Sequence, residues 1–264
     1  MELYSDKTFY LLKKGIHRID MYPGWGPGMR NCFVIHYVIS GTGYFEVNGK
    51  KYKLHAGDSF LITPFTTVHY YPDAEDRWLY AWIDFAGNKA AELMAEMNWN
   101  MANPVCTIPL SDKLMPLYTQ LHNLDIYNGN CYNEANGLMS AILGIYADAM
   151  SQSKRTSKSS SHQRLAAAAL NLIHTNYHHA DFHIDSMYSM LNLSHATLYR
   201  LFIDEMGVSP QKYLQHYRIE QAKKMILNGA SIKNTALSCG YENALYFSKV
   251  FKRNVGVTPS EYKE

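Results

Sequence analysis

The sequence predicts an α+β chain in two parts, an N-terminal β-barrel with following helices and then an all-α domain built on a repeated helical unit. Three observations carry this. Residues 32–85 fall into short β-branched and aromatic runs separated by turn residues, residues 151–163 are serine-rich and basic, and the last hundred residues repeat a pattern at an offset of 49. At 264 residues the chain exceeds the usual size of about 100–200 for one domain, so two cores are expected.

Taken in order, Met1-Glu2-Leu3-Tyr4-Ser5-Asp6-Lys7 lacks the basic-then-apolar layout of a secretory signal. No run reaches the about 20 apolar residues needed to span a bilayer. The expectation is a cytoplasmic chain with no membrane partner. Cys32, Cys106, Cys131 and Cys239 are far apart and form no C-x-x-C pair, which argues for reduced, structural cysteines. Strands follow from Cys32–Ile39, Tyr44–Val47, Lys51–Leu54, Ser59–Ile62 and Trp78–Phe85, with turns at Gly41-Thr42-Gly43, Asn48-Gly49, Ala56-Gly57-Asp58 and Pro64-Phe65. Asn48-Gly49 is the strongest hairpin signal among them, since both residues tolerate positive φ. Short strands at this spacing predict a sandwich or barrel.

Helical periodicity takes over at Lys89–Met97, Leu114–Leu124 and Glu134–Met150. In the last, Leu138, Ala141, Ile142, Ile145 and Ala149 form an apolar stripe that either packs on its own domain or also joins subunits of a homodimer. Residues 1–150 are thus one domain, 151–163 a linker and 164–264 a second domain. Overall the chain carries a net charge of +2. Residues 1–153 hold 11 Lys and Arg against 15 Asp and Glu, a net of −4, and residues 154–264 hold 14 against 8, a net of +6. The basic half is the one suited to a polyanion.

That half contains the duplication. Leu198-Tyr199-Arg200-Leu201-Phe202, then Gly207-Val208-Ser209-Pro210 and Tyr213, returns as Phe247-Ser248-Lys249-Val250-Phe251, then Gly256-Val257-Thr258-Pro259 and Tyr262. In each copy an apolar residue and an aromatic four positions later share a buried face, and the base between them points away. A short helix and turn precede each copy: Ile184–Met190 before Asn192-Leu193-Ser194, and Ile232–Cys239 before Gly240-Tyr241-Glu242-Asn243. Helix, tight turn, then helix with an exposed base is the arrangement that a DNA major groove admits.

These residues resemble the DNA-binding domain of the AraC/XylS family of bacterial transcription regulators. The similarity covers residues 164–264, including Ser231-Ile232-Lys233, Cys239-Gly240-Tyr241, Tyr246-Phe247-Ser248, Phe251-Lys252-Arg253 and Gly256–Tyr262. It implies that Tyr217–Asn228, with Arg218-Ile219-Glu220-Gln221-Ala222, is the long helix joining two helix-turn-helix units. By motif, the base-facing candidates are Ala196, Tyr199 and Arg200 in the first unit and Ala244, Leu245 and Lys249 in the second. Arg200 is suited to guanine because a guanidinium bonds O6 and N7 together. Ser194, His195, Asn243, Ser248 and Arg253 are candidates for phosphate contact. Ala196, Ala244 and Leu245 offer only apolar contact, such as with a thymine methyl.

Residues 29–85 resemble the small cupin barrel with which many family members sense sugars, on Gly41-Thr42-Gly43-Tyr44, Gly57-Asp58, Pro64, His69 and Trp82–Gly87. The resemblance supports Tyr71, Tyr80 and Trp82 most directly as ligand contacts, and Trp25 and Arg30 through the segment leading into the barrel. A sugar offers an apolar face to Trp25, Tyr71, Tyr80 and Trp82 and hydroxyls to Arg30, His36 and His69. A catalytic cupin needs a cluster of metal ligands, yet His36 is followed by Tyr37 and Val38, and Glu46, His55 and His69 do not restore the spacing. The reading therefore names no catalytic or metal-binding residue and no cofactor. It expects a sugar-responsive regulator of carbohydrate-utilisation genes, not an enzyme, whose partners are promoter DNA, a small-molecule effector and a second copy of itself. RNA polymerase is left open as a further partner, as is the choice between activation and repression. The rival readings are a metal-dependent cupin enzyme with an accessory DNA-binding domain and a ligand-independent regulator.

Overall fold

Runs of β-branched and aromatic residues between tight turns build most of the N-terminal strands. The computed structural model describes residues 10–17, 24–87, 89–108, 111–126, 131–153 and 161–263. The N-terminal stretch Met1–Lys7 and residues 154–160 of the serine-rich segment lie outside the described residues. The chain divides into one unit of Met1–Arg164 with Asp204–Gly207, and a second of Leu165–Ile203 with Val208–Glu264.

In the first unit the strands are β1 (Tyr10–His17), β2 (Trp25–Met29), β3 (Phe33–Ser40), β4 (Thr42–Val47), β5 (Lys50–His55), β6 (Asp58–Ile62), β7 (Thr67–Pro72), β8 (Leu79–Ala86) and β9 (Val105–Thr107). They form two antiparallel sheets, ordered β1-β8-β3-β6-β9 and β2-β7-β4-β5. Asn48 and Gly49, at φ 52° and 73°, make the hairpin turn between β4 and β5. The sheets close on an aromatic core, in which Phe45 meets Phe60 at 4.6 Å, His36 meets Tyr70 at 4.8 Å and Phe60 meets Tyr70 at 5.5 Å between ring centres.

The outer face of the larger sheet is covered by helices α2 (Ser111–Asn123) and α3 (Tyr132–Ser153), which follow α1 (Ala90–Met97). Tyr37 stacks on Tyr118 at 6.1 Å, and the Ser59 and Tyr146 hydroxyls are hydrogen-bonded at 2.8 Å. With both faces covered, β3 is buried from Phe33 to Val38, which explains why its sequence is continuously apolar instead of alternating.

Two expectations are corrected here. The packed face of α3 is Ala135, Met139, Ile142, Leu143 and Tyr146, whereas of the expected stripe Ala141 is exposed and Leu138, Ile145 and Ala149 are half-buried. The large side chains Met139 and Tyr146 turn the helix toward themselves. Helix also takes both ends of the expected linker, since α3 runs through Ser153 and the next helix starts at Ser161.

The second unit contains α4 (Ser161–Asn176), α5 (Ile184–Leu191), α6 (His195–Met206), α7 (Pro210–Leu227), α8 (Ile232–Ser238), α9 (Ala244–Val255) and α10 (Pro259–Lys263). The joining helix α7 begins at Pro210, seven residues before the expected Tyr217, because Ser209 caps it by accepting from the Lys212 amide at 3.4 Å and proline suits its first turn. Ile219, Ala222, Ile226, Ala236, Cys239, Tyr241, Phe247, Val250 and Phe251 form one buried cluster under the second repeat. Leu198, Leu201 and Phe202 are the buried face of the first. No helix among the described residues is long and apolar enough to cross a membrane.

Candidate nucleic-acid interface and ligand site

The duplicated helices α6 and α9 each bury one face and expose the other. On α6, Leu198, Leu201 and Phe202 are buried while His195, Ala196, Tyr199 and Arg200 are exposed. On α9, Phe247, Val250 and Phe251 are buried while Leu245, Lys249, Lys252 and Arg253 are exposed. Ser194 and Asn243 occupy equivalent places just before the two helices. The Ser194 hydroxyl accepts from the Thr197 amide at 3.2 Å, and the Asn243 side chain accepts from the amides of Leu245 and Tyr246 at 2.8 and 3.1 Å. Both are therefore helix caps, exposed at the mouth of their turn. Ser248 is half-buried, and its hydroxyl donates back to the Ala244 carbonyl at 2.8 Å, which leaves Ser248 turned toward its own helix.

Two exposed side chains of α9 went unassigned in the sequence. Tyr246 is 58% exposed beside Leu245 at 77%, so the start of α9 presents a bulky apolar pair next to Lys249. Lys252 adds a charge one turn further on, where Lys252 and Arg253 also oppose the negative end of the helix dipole. The arithmetic of the helix finds Tyr246, which lies three residues before Lys249 on the same side.

In the β-rich unit, register decides which candidates meet. Residues paired across β3 and β8 alternate faces: His36 opposes Trp82, Val34 opposes Asp84 and Val38 opposes Tyr80, all directed between the sheets. His36 is 2% exposed, stacked on Phe60 at 4.3 Å and tilted against Tyr70 and Tyr80 at 4.8 and 5.1 Å. Arg30 lies over the Trp25 ring at 4.2 Å, and Trp25 stacks on Tyr70 at 5.7 Å. Tyr70 meets Tyr80 edge-on at 6.1 Å between ring centres. His17 lies flat against Trp82 at 5.6 Å and 8°. Five of the expected ligand residues, Trp25, Arg30, His36, Tyr80 and Trp82, are thus brought together, joined by Tyr70, Asp84 and His17.

His69 and Tyr71 are not among them. They oppose Glu46 and Tyr44 on the outer face of the smaller sheet, where the Tyr71 hydroxyl donates to Glu46 at 2.7 Å and His69 lies 3.7 Å from the same carboxylate. Their neighbour Tyr70 faces inward instead, because a strand alternates sides at every residue. The same register separates His36, facing inward, from Glu46 and His69, facing outward, and no three His, Cys, Asp or Glu among the described residues are grouped as a metal ion would require.

The chemistry of the inner group is unusual for a core. Arg30 Nε, His36 Nδ1, Trp82 Nε1 and Asp84 Oδ1 are all buried without a hydrogen-bond partner in the protein. Burial, with the charges of Arg30 and His17 behind it, holds His36 well below its ordinary pKa, so the ring is neutral. Burial lifts Asp84 to about 6, against the opposing pull of Arg30 and Lys13. An orphaned buried polar atom costs about 1–3 kcal/mol, so several at one place, ringed by aromatic faces, are disposed to take the hydroxyls of a polar ligand.

Residues 15–170 match an AraC-like ligand binding domain and residues 187–264 match a helix-turn-helix domain. The chain is 25% identical over 256 residues to the Msm operon regulatory protein of Streptococcus mutans, covering 95% of this chain and 90% of that one. It is 30% identical over 252 residues to the raffinose operon transcriptional regulatory protein RafR of Pediococcus pentosaceus, covering 90% and 87%. Among solved structures, ToxT from Vibrio cholerae O395 shares the fold, with a TM-score of 0.53 at 15% identity over 97% of both chains.

Proposed function

The chain belongs to the AraC family of DNA-binding transcription regulators, and from that premise we propose that it controls carbohydrate-utilisation genes in response to a sugar or oligosaccharide held in the β-rich unit. The observation that carries the ligand class is the set of four unpartnered buried atoms on Arg30, His36, Trp82 and Asp84 among the rings of Trp25, Tyr70 and Tyr80. Arg30 and Trp82 donate, Asp84 accepts, and the aromatic rings pack against the apolar face of a pyranose. The similarity to the regulator of a raffinose operon supports the same class.

On the DNA side, Arg200 and Tyr199 of α6 and Leu245, Tyr246 and Lys249 of α9 read base edges, with Ala196 and Ala244 beside them. Ser194, His195, Asn243 and Arg253 hold phosphates. Two subunits join through the flank of α3 that carries half-buried Leu138 and Ile145 and exposed Ala141. Ligand binding shifts the balance between arrangements of the paired subunits on DNA, which requires that the sugar favour one of them.

The test is melting of the purified protein with a panel of mono- and oligosaccharides, raffinose included, because a ligand that binds only the native state raises the melting temperature as its concentration rises. A sugar that stabilises the native chain but not Trp82→Ala supports the reading. A panel in which nothing stabilises the native chain overturns it.

A further inference from the structure

One side chain of α7, Arg218, reaches both helix-turn-helix units. Arg218 donates from Nε to the Tyr177 carbonyl at 2.8 Å, and from Nη2 to the carbonyls of His179 and Phe182 at 2.9 and 3.2 Å. These carbonyls belong to the turn that leads from α4 into α5, the first helix of the first unit. On its other side the guanidinium lies 5.6 Å from the ring of Tyr241, in the turn between α8 and α9 of the second unit.

Gly240 completes the joint. Its φ is +74°, and a Cβ at that position would stand 2.4 Å from the Tyr177 carbonyl oxygen and 2.7 Å from Arg218 Nη2. The two turns therefore approach more closely than any side chain would permit. Next to this contact lies a cleft of about 550 Å³, bordered by His183 and Asp185 of the first unit, Gln215 of α7, and Glu242 and Tyr246 of the second. Beside the cleft, the Arg218 hydrogen bonds and the close approach of Gly240 to the Tyr177 carbonyl bring the turn of one unit against the turn of the other.

From this geometry we propose that Arg218 is a positioning residue that fixes α6 and α9 at one separation and angle, so that the chain reads two DNA segments only at one helical phase. The inference rests on the proposed DNA-reading role of both units. A guanidinium suits the task because its planar fork serves three fixed carbonyls at once, whereas an ammonium on a flexible stem satisfies them in turn and leaves the angle loose. The residue touches no base. Its effect is on the geometry between two contacts, each of which it leaves intact.

The experiment uses the full chain. Duplexes enriched by the native protein from a random pool define a bipartite site, and affinity is then measured for that site, for each half with the other scrambled, and for the whole with 1, 2, 3 and 5 base pairs inserted between halves. Arg218→Gln and Gly240→Ala attack the joint from opposite sides, Arg218→Lys is the conservative control, and thermal melting reports folding. The expected result is that Arg218→Gln and Gly240→Ala bind each half within about threefold of the native chain. Both bind the full site at least tenfold more weakly and lose most of the native penalty for insertion, with Arg218→Lys in between. Equal weakening of halves and full site would make Arg218 structural only and overturn the proposal, as would an unchanged spacing preference. A native chain that enriches no duplex defeats the DNA-reading assignment itself, and is recognised before any variant is compared.

Discussion

Asp84 and His174 carry opposite pH signatures. Asp84 is enclosed between the sheets with its pKa raised from 3.8 to about 6, so the native state binds more protons than the unfolded chain in between. Stability then falls as pH rises through about 4 to 6 and is flat above. Asp84→Asn should remove this slope, gain about 2–3 kcal/mol at pH 7, and weaken sugar binding, as seen by melting across pH with and without ligand. His174 stacks on Tyr217 at 4.5 Å with Nε2 3.0 Å from the Tyr213 hydroxyl, and burial lowers its pKa from 6.5 to about 4. A depressed histidine leaves stability intact above 6.5 and removes it as pH falls toward 4, by about 3 kcal/mol. Amide protection factors in α4 and α7, taken relative to the intrinsic exchange rate at each pH, should fall over that window. Neither shift could be read from the sequence, because each depends on what encloses the group. The position of Asp84 was legible, for Tyr80, Trp82 and Asp84 alternate along one strand and share a face. Tyr71 was named through the resemblance and Tyr70 was not, since which of two adjacent tyrosines faces inward is decided only when a partner strand fixes the register.

Among the elements, α7 and α9 illustrate how boundary signals and packing divide the work. Ser209→Ala removes the side-chain cap of α7 and should cost about 1 kcal/mol in chemical denaturation, whereas Phe247→Ala, emptying the centre of the second cluster, should cost about 3–5 kcal/mol. Strands β3 to β6 and β8 and the start of every helix-turn-helix element were visible as alternation, turns and repetition. Strand β9, three residues long, and strand β2, Trp25-Gly26-Pro27-Gly28-Met29, were not, because neither offers a periodic apolar pattern. Each becomes a strand by pairing at a sheet edge, β9 with β6 and β2 with β7, which is a tertiary fact. The packed side of α3 also escaped the reading, since Met139 and Tyr146 outweigh the smaller residues of the expected stripe.

For the molecule as a whole, binding to DNA should weaken steeply with salt through the exposed bases of the second unit. Lys249→Ala or Arg253→Ala should shallow that dependence by about one counterion each. Leu245→Ala should leave the salt dependence unchanged and relax preference at one base pair by about 1–3 kcal/mol, read by competition among single-base variants of the site. Two helix-turn-helix units were apparent from duplication alone. The Arg218 contact between them was not, because it is made to main-chain carbonyls, which every residue possesses and no sequence distinguishes.

The duplication has diverged on its exposed side. Where α6 offers Ala196 and Arg200, the equivalent positions of α9 offer Leu245 and Lys249. One chain therefore has a left hand and a right hand, and the DNA it prefers must have the same. Turned end for end, a site would present each helix with the wrong bases, so a chain that reads DNA with both helices should favour one orientation on the duplex. A single bound subunit in this way tells upstream from downstream, which a symmetric pair of identical reading heads cannot do.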